Sequence, residues 1–242
     1  IQIKNEKGMG PRNGSERSLR PMIVDLYLKG NQAVVVGGGK EAVRKLEALF
    51  AEDCEVIVIA ERVVDAIRNH AKSGKITLET RRVEGGDFLD VYDRLVLVLA
   101  VTDDEEVNRR VVRAARERGC YAYAADDPEI SDFGHPAVIN IKDTIAVAIS
   151  TGGKSPLMAG TLREKIEPIL QNAIDRVTLL QIRLLEQLRV AAKKKLSSTE
   201  TRKQFLITIR DDEGINRLLE EDRFNDAVLL AQEYLDNWEV AP

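Results

Sequence analysis

The 242-residue chain is poor in the side chains that most reactive sites use. Two cysteines, Cys54 and Cys120, cannot build a disulfide scaffold or an iron–sulfur site. Two histidines, His70 and His135, cannot build a multi-histidine zinc centre. Aromatic residues make up 5% of the chain, which leaves few platforms for stacking single-stranded nucleic acid. No run of 18 apolar residues occurs, so no membrane-spanning helix is expected. The opening stretch, IQIKNEKGMGPRNGSERSLR, lacks the apolar segment of a secretory signal. Residues 1–20 read as a flexible arm or an expression remnant. The expectation is a cytoplasmic protein with reduced thiols, with neither nucleic acid nor membrane among its partners.

What is present is enough for a packed core: 44% of residues are hydrophobic and 31% are charged. The net charge of −4 hides an asymmetry. Residues 161–210 carry 11 Lys and Arg against 5 Asp and Glu. Residues 211–242 carry 2 against 10. The first 160 residues are nearly balanced, so a basic stretch and an acidic tail follow a neutral first part.

That first part alternates buried-strand and helix patterns. Ala33–Val36, Glu55–Ala60, Ile76–Arg82, Leu95–Val101 and Tyr121–Ala125 read as strands. Lys40–Ala51, Val63–Lys72 and Asp103–Arg118 read as helices between them. Near-continuous Val, Ile and Leu runs separated by helices predict a parallel sheet covered on both faces, a doubly wound α/β domain of the Rossmann type. After Phe133 the pattern changes. Ala137–Ile141 and Thr144–Ser150 flank Lys142-Asp143 as a hairpin, and Pro156–Arg189 reads as long helical material. Ser197-Ser-Thr marks a break and cap before further short helices, among them Gly214–Glu221 and Asp226–Leu235. The predicted organisation is a Rossmann domain over 21–133, a small α+β segment over 134–168 and a helical domain over 169–242.

Four stretches carry candidate chemistry. Val34-Val-Val-Gly37-Gly38-Gly39-Lys40-Glu41-Ala42 is a G-x-G-x-x-A fingerprint between a strand and a helix. Gly37 permits the tight turn, Gly39 lets backbone approach a pyrophosphate, and Ala42 lets the helix pack closely. The helix N-terminus then offers N–H groups to phosphates. Glu61 ends the second strand, where an acid binds a ribose and favours NAD over NADP. Thr102-Asp103-Asp104 follows the 95–101 strand, where doubly wound sheets place ligands; a helix N-cap is the other reading. Asp126 sits in Asp126-Asp127-Pro128 at another strand end, as a proton acceptor, a metal ligand or simply a turn residue. Thr151-Gly152-Gly153-Lys154-Ser155-Pro156 forms either an anion cradle or a linker in which Ser155 caps a helix opened by Pro156. His135 lies in a loop near Asp126. Cys54 and Cys120 read as core-edge thiols, and His70 as a solvated helix residue.

Taken together, these stretches resemble the siroheme-synthase dehydrogenase/chelatase family, the precorrin-2 dehydrogenases, many of which are also sirohydrochlorin ferrochelatases. The likeness runs through Pro21-Met-Ile-Val-Asp25, Val36-Gly-Gly-Gly39…Ala42-Val-Arg44-Lys45, Ala100-Val-Thr-Asp-Asp104…Asn108, Ala124-Ala-Asp126-Asp-Pro128…Asp132-Phe133…Pro136-Ala137 and Ile149-Ser-Thr-Gly-Gly-Lys-Ser-Pro156…Leu162-Arg163. Past residue 170 only a helical module is similar. The resemblance implies an NAD-binding domain, a segment interlocking with a second copy in a homodimer, and a helical domain closing a tetrapyrrole site. It implies NAD-dependent oxidation of precorrin-2 to sirohydrochlorin with loss of hydride and protons, then insertion of ferrous iron as substrate. Asp126 falls on the family's essential aspartate, as general base and as a transient rather than permanent metal contact. Thr151, with its loop neighbours Gly152, Gly153, Lys154 and Ser155, falls in the substrate pocket, where the family often has serine at 151. Lys40, Glu41, Glu61 and Arg62 match cofactor-contacting positions. His135, where many members carry an apolar residue, is a candidate metal or propionate contact. Lys154, Arg163 and the basic stretch could attract the polycarboxylate substrate. A different class of function, a module that senses NAD(H) and gates a partner, explains the fingerprint but not the stretch from 124 to 156.

Overall fold

A computed structural model describes residues Met22–Trp238. The expected arm over residues 1–20, and Pro21 where the family likeness begins, lie outside the described residues. Seven strands and eight α-helices are found among the described residues. They group into two compact units.

The first unit contains β1 (Gln32–Val36), α1 (Lys40–Leu49), β2 (Glu55–Ala60), α2 (Asp65–Lys72), β3 (Thr77–Thr80), β4 (Leu95–Ala100), α3 (Glu105–Glu117) and β5 (Tyr121–Ala124). All five strands are parallel, in the order β3-β2-β1-β4-β5. β1 and β2 are buried along nearly their whole length. That burial explains the unbroken β-branched runs, since neither sheet face meets water. Val34, Val36, Ile57, Ile59, Val98 and Ala100 pack with Val107, Val111, Val112 and Ala115 of α3 on one face. Ala33, Val35, Val56, Val58, Leu97 and Leu99 pack with Ala42, Leu46 and Leu49 of α1 and Ile67 of α2 on the other. The expected doubly wound α/β sheet is therefore what the chain forms. Its strand order reverses between β1 and β4, so the carboxyl ends of these two strands lie side by side.

The second unit contains β6 (Ala137–Ile141) and β7 (Ile145–Ile149), an antiparallel pair, together with most of α4 (Pro156–Ala173) and all of α5 (Arg176–Lys195), α6 (Thr199–Asp211), α7 (Glu213–Glu220) and α8 (Phe224–Asp236). The short loop Ser150–Pro156 belongs to the first unit, so the segment anticipated over 134–168 is shared between the two. Lys142 and Asp143 form the hairpin turn with φ of 47° and 53°, the left-handed geometry that a two-residue turn demands. The helical stretch anticipated from Pro156 to Arg189 is two helices. Asp175 interrupts it, because its carboxylate accepts the Thr178 N–H at 2.8 Å and starts α5 as an N-cap. Ser198 caps α6 by accepting the Thr201 N–H, as the Ser-Ser-Thr break suggested. Phe205, Ile209, Leu184, Leu188, Ile215, Leu219, Ala227, Ala231 and Leu235 make the helical core. α4 differs from its neighbours: of its 18 residues only Ala159 is buried, and Leu157 and Ile169 are 79% and 64% exposed.

Candidate dinucleotide and proton-transfer site

The end of β1 turns into α1 through three glycines packed against the ends of two other strands. Gly37, at φ 136°, donates its N–H to the Ile59 carbonyl at 3.0 Å. A Cβ there would sit 2.5 Å from the Val101 carbonyl oxygen. Gly38 is tighter, because a Cβ would lie 1.9 Å from the Arg62 carbonyl oxygen. Its own carbonyl accepts the Val64 N–H at 2.9 Å, pinning the β2–α2 loop to the turn. Gly38 occupies a position that the fingerprint leaves unspecified, so the motif did not reveal that the middle glycine is the most constrained of the three.

Gly39 is the N-cap of α1 and supplies no side-chain acceptor to the helix. A Cβ on it would meet nothing within 4 Å, so open space lies over the first turn of α1. α3, by contrast, is capped by Asp104, whose carboxylate accepts the Glu106 and Val107 N–H groups. The start of α1 thus combines uncommitted backbone donors with room for a phosphate. Lys40 is exposed beside it. Glu61 and Arg62 are exposed at the end of β2, and neither takes part in an ion pair among the described residues. Glu41 stands apart from this group. Its carboxylate is held by Arg44 at 3.1 Å and Lys45 at 3.3 Å on its own helix.

At the ends of β4 and β5 a second cluster forms. Asp126 is exposed, and its Oδ1 accepts a hydrogen bond from Asn108 Nδ2 at 2.6 Å. Asn108 is fully buried and also bonds the Thr102 backbone and hydroxyl. The Thr102 hydroxyl lies 2.7 Å from Asn108 Oδ1 and accepts the Asp104 N–H, so it is committed inside the protein while Asp104 performs the capping. Thr102, Asn108 and Asp126 are joined at adjacent strand ends beside the glycine turn. Asn108 stood within the family likeness without a role. The signal that could have found it is its place one turn into α3 among apolar neighbours, where a buried amide must bond to something.

His135 belongs to a different cluster. Its ring packs edge-on against Tyr123 at 4.8 Å and Phe133 at 5.4 Å, on the α1 and α2 face. Asp126 is tied instead to α3, on the opposite face. Lys45, 4% exposed, donates to the Tyr123 hydroxyl at 3.1 Å and lies 4.2 Å from that ring. Burial of the imidazole, and next the neighbouring Lys45 ammonium, push its pKa from 6.5 down to about 4.

The Thr151–Ser155 loop closes on itself. Thr151 Oγ1 accepts the Ser155 N–H at 3.0 Å and donates to the Ser155 carbonyl at 3.1 Å. Gly152 and Gly153 take φ of 64° and 81°. Lys154 is exposed and forms no ion pair among the described residues, whereas Arg163 is held by Glu167 at 3.1 Å. Among the described residues no group of three or more His, Cys, Asp or Glu side chains could hold a metal ion, and no helix is long and apolar enough to cross a membrane.

These features define a class: an NAD(P)-binding Rossmann-type domain followed by a smaller segment and helices. Residues 24–137 match the family model described as "Putative NAD(P)-binding", and 143–167 match "Sirohaem biosynthesis protein central". Siroheme synthases are among the relatives: 37% identity over 166 residues in Methylococcus capsulatus, 35% over 152 in Nitrosococcus oceani and 33% over 178 in Salmonella schwarzengrund. These alignments cover 69%, 63% and 74% of the chain, and 34%, 31% and 37% of the relatives. The chain therefore spans about a third of the length of the curated relatives it matches. A solved structure, SirC, precorrin-2 dehydrogenase, shares the fold with a TM-score of 0.64 at 22% identity, covering 88% of this chain and 100% of that one. The chain is similar to the N-terminal module of the siroheme synthases, and its Rossmann domain agrees with the expected NAD cofactor.

Gly38→Ala must displace the Arg62 carbonyl and should cost about 1–3 kcal/mol in urea unfolding. Gly39→Ala should leave stability within about 0.5 kcal/mol yet weaken NAD binding by calorimetry about tenfold, because its methyl would fill the phosphate space. Equal affinity in Gly39→Ala and the parent would show that the dinucleotide lies elsewhere. For His135, the folded state holds a proton less tightly than the unfolded chain. Its contribution to stability is therefore complete above about 6.5 and is lost as pH falls toward about 4. His135→Phe should narrow the difference in Tm between pH 7 and pH 4.

Proposed function

We propose that this chain catalyses the NAD-dependent dehydrogenation of precorrin-2 to sirohydrochlorin in siroheme biosynthesis. The observation that carries the reading is the exposed Asp126 carboxylate, fixed by Asn108 just beyond β5, in the same parallel sheet whose β1 leads into the uncapped, roomy N-terminus of α1. NAD⁺, when bound, supplies the hydride acceptor. Gly37, Gly38 and Gly39 would hold its pyrophosphate by backbone N–H groups, and Lys40 would add charge nearby. Glu61, exposed at the end of β2, would accept the ribose hydroxyls, which favours NAD over NADP. Thr102 would shape the crevice through its backbone, its hydroxyl being spent on Asn108 and Asp104. Asp126 would take the proton released as the substrate gives up its hydride. Lys154, exposed and without an ion pair among the described residues, is the cation in the Thr151–Ser155 loop suited to a substrate carboxylate.

Insertion of ferrous iron into sirohydrochlorin is the second activity that this reading admits, with iron as substrate. Asp126 would act there as proton acceptor or passing ligand, and the macrocycle's nitrogens would do the holding. His135 takes no part in this step, because its ring is packed against Tyr123 and Phe133 on the face away from α3. The curated relatives named siroheme synthase support the pathway, and the structural neighbour named precorrin-2 dehydrogenase supports the fold on which that step is run.

We also infer a homodimer in which the 134–168 segment is the contact. α4 buries one residue of its own chain and exposes Leu157, Met158 and Ile169. β6 and β7 form a two-stranded sheet whose outer edges have no strand beside them among the described residues. A second copy supplies apolar surface and strand edges to both.

The deciding assay incubates the protein with precorrin-2 and NAD⁺ and follows absorbance. Asp126→Asn should reduce turnover about 10²–10⁴-fold while NAD still binds. Unchanged turnover would remove Asp126 from the chemistry, and NAD binding with no oxidation by the parent would favour a sensing role. For assembly, light scattering should report a dimer for the parent and a monomer for Leu157→Glu. A monomeric parent would refute the inference.

A further inference from the structure

We propose that Asn108 is a positioning residue that fixes one oxygen of Asp126 and leaves the other as the single proton-accepting atom; this rests on the reading of Asp126 as the general base. The side chain of Asn108 makes four hydrogen bonds, its full complement. Oδ1 accepts the Thr102 backbone N–H at 3.1 Å and the Thr102 hydroxyl at 2.7 Å. Nδ2 donates to the Thr102 carbonyl at 3.1 Å and to Asp126 Oδ1 at 2.6 Å.

The orientation of the amide follows from chemistry. A backbone N–H can only donate, so the atom facing it must be the amide oxygen. The other end is then the NH₂ group, which faces two acceptors, the Thr102 carbonyl and the Asp126 carboxylate. Turning the amide over would set the NH₂ against the Thr102 N–H and the oxygen against both acceptors. The three bonds to the Thr102 backbone and to Asp126 therefore select the same state, the Thr102 hydroxyl can turn to match it, and the residue is wholly buried, so water cannot substitute for a lost partner.

The consequence for Asp126 is directional. The Asn108 N–H takes up one lone pair of Oδ1, which leaves Oδ2 the more basic of the two. Oδ2, on an exposed residue with no other hydrogen bond among the described residues, is where a proton can land. Asn108 thereby does for this carboxylate what a second-layer group does for a general base: it sets the rotamer and picks the reacting oxygen. Because Asn108 is on α3 and its other three bonds go to the end of β4, it also couples the ends of β4 and β5. The proton acceptor is thus referenced to the same strand end that borders the cofactor turn.

The test reads both the link and its catalytic consequence. In the wild-type protein, the Asn108 side-chain amide resonances should move with pH in step with the Asp126 carboxyl carbon, and should lose that pH dependence in Asp126→Asn. Independence of the two signals in wild type would overturn the proposal without any change at Asn108. In Asn108→Asp, which is isosteric and puts a second carboxylate against the first, the acidic limb of the precorrin-2 oxidation profile should move up by about one pH unit. The turnover number should fall about 10- to 100-fold with KM for NAD⁺ unchanged. An unmoved limb, or a change confined to KM for NAD⁺, would overturn it. Should Asn108→Asp not fold, the carboxyl titration of Asp126 in Asn108→Ala serves, with the same upward direction expected. A wild-type protein that does not oxidise precorrin-2 defeats the proposed function, while the resonance titration still decides the Asn108–Asp126 link.

Discussion

The central constraint on the first unit is that β1 must be buried between β2 and β4 with apolar side chains on both faces. That placement forces the chain to leave β1 at a point where β2 ends on one side and β4 on the other. The exit then has to pass between their carbonyl groups, within 2.5 Å of Val101 for any Cβ at 37 and 1.9 Å of Arg62 for one at 38. Only backbone without side chains fits. The same crowding pulls the start of α1 tight against the sheet, so its free N–H groups open into the crevice at the strand ends. A hydrophobic requirement thus creates a polar site.

The polar residues around this crevice are arranged by the same geometry. β4 and β5 lie next to each other, so the residues just beyond them, Thr102 and Asp126, come within reach of one buried amide on α3. The structure separates this cluster from the one around Lys45, Tyr123 and His135, because successive residues of β5 point to opposite faces. Loop residues that are close in sequence, Asp126 and His135, therefore serve different surroundings: one an exposed carboxylate tied to α3, the other a ring packed edge-on against Tyr123 and Phe133.

Much of the first unit was legible because its signals are local. Val, Ile and Leu runs of strand length, broken by glycine and followed by amphipathic helices, have few other solutions than a covered parallel sheet. The G-x-G-x-x-A spacing located the turn to the residue. The helical stretch after Pro156 was less legible. Its apolar residues continue at helical spacing through Ile174 and Val177, and the break depends on a single Asp175 side chain turning back to cap α5. Exposure along α4 was also hidden, since an apolar stripe looks the same whether it meets its own chain or another.

Sequence by itself determined the sheet, the glycine turn, the acid at the end of β2 and Asp126 as the carboxylate at a strand end. These follow from residue type and spacing along a few consecutive positions. Only the tertiary structure decided that Gly38 is the most crowded glycine, that Glu41 is spent on Arg44 and Lys45, that Thr102 is committed inward, and that Asn108 holds Asp126. Each of those depends on groups brought together from distant parts of the chain, or on which way a side chain turns once its neighbours are in place. The physical reason is the same throughout: periodicity records which side of an element is apolar, but a hydrogen bond between Asn108 and Asp126 exists only after two strands and a helix have packed.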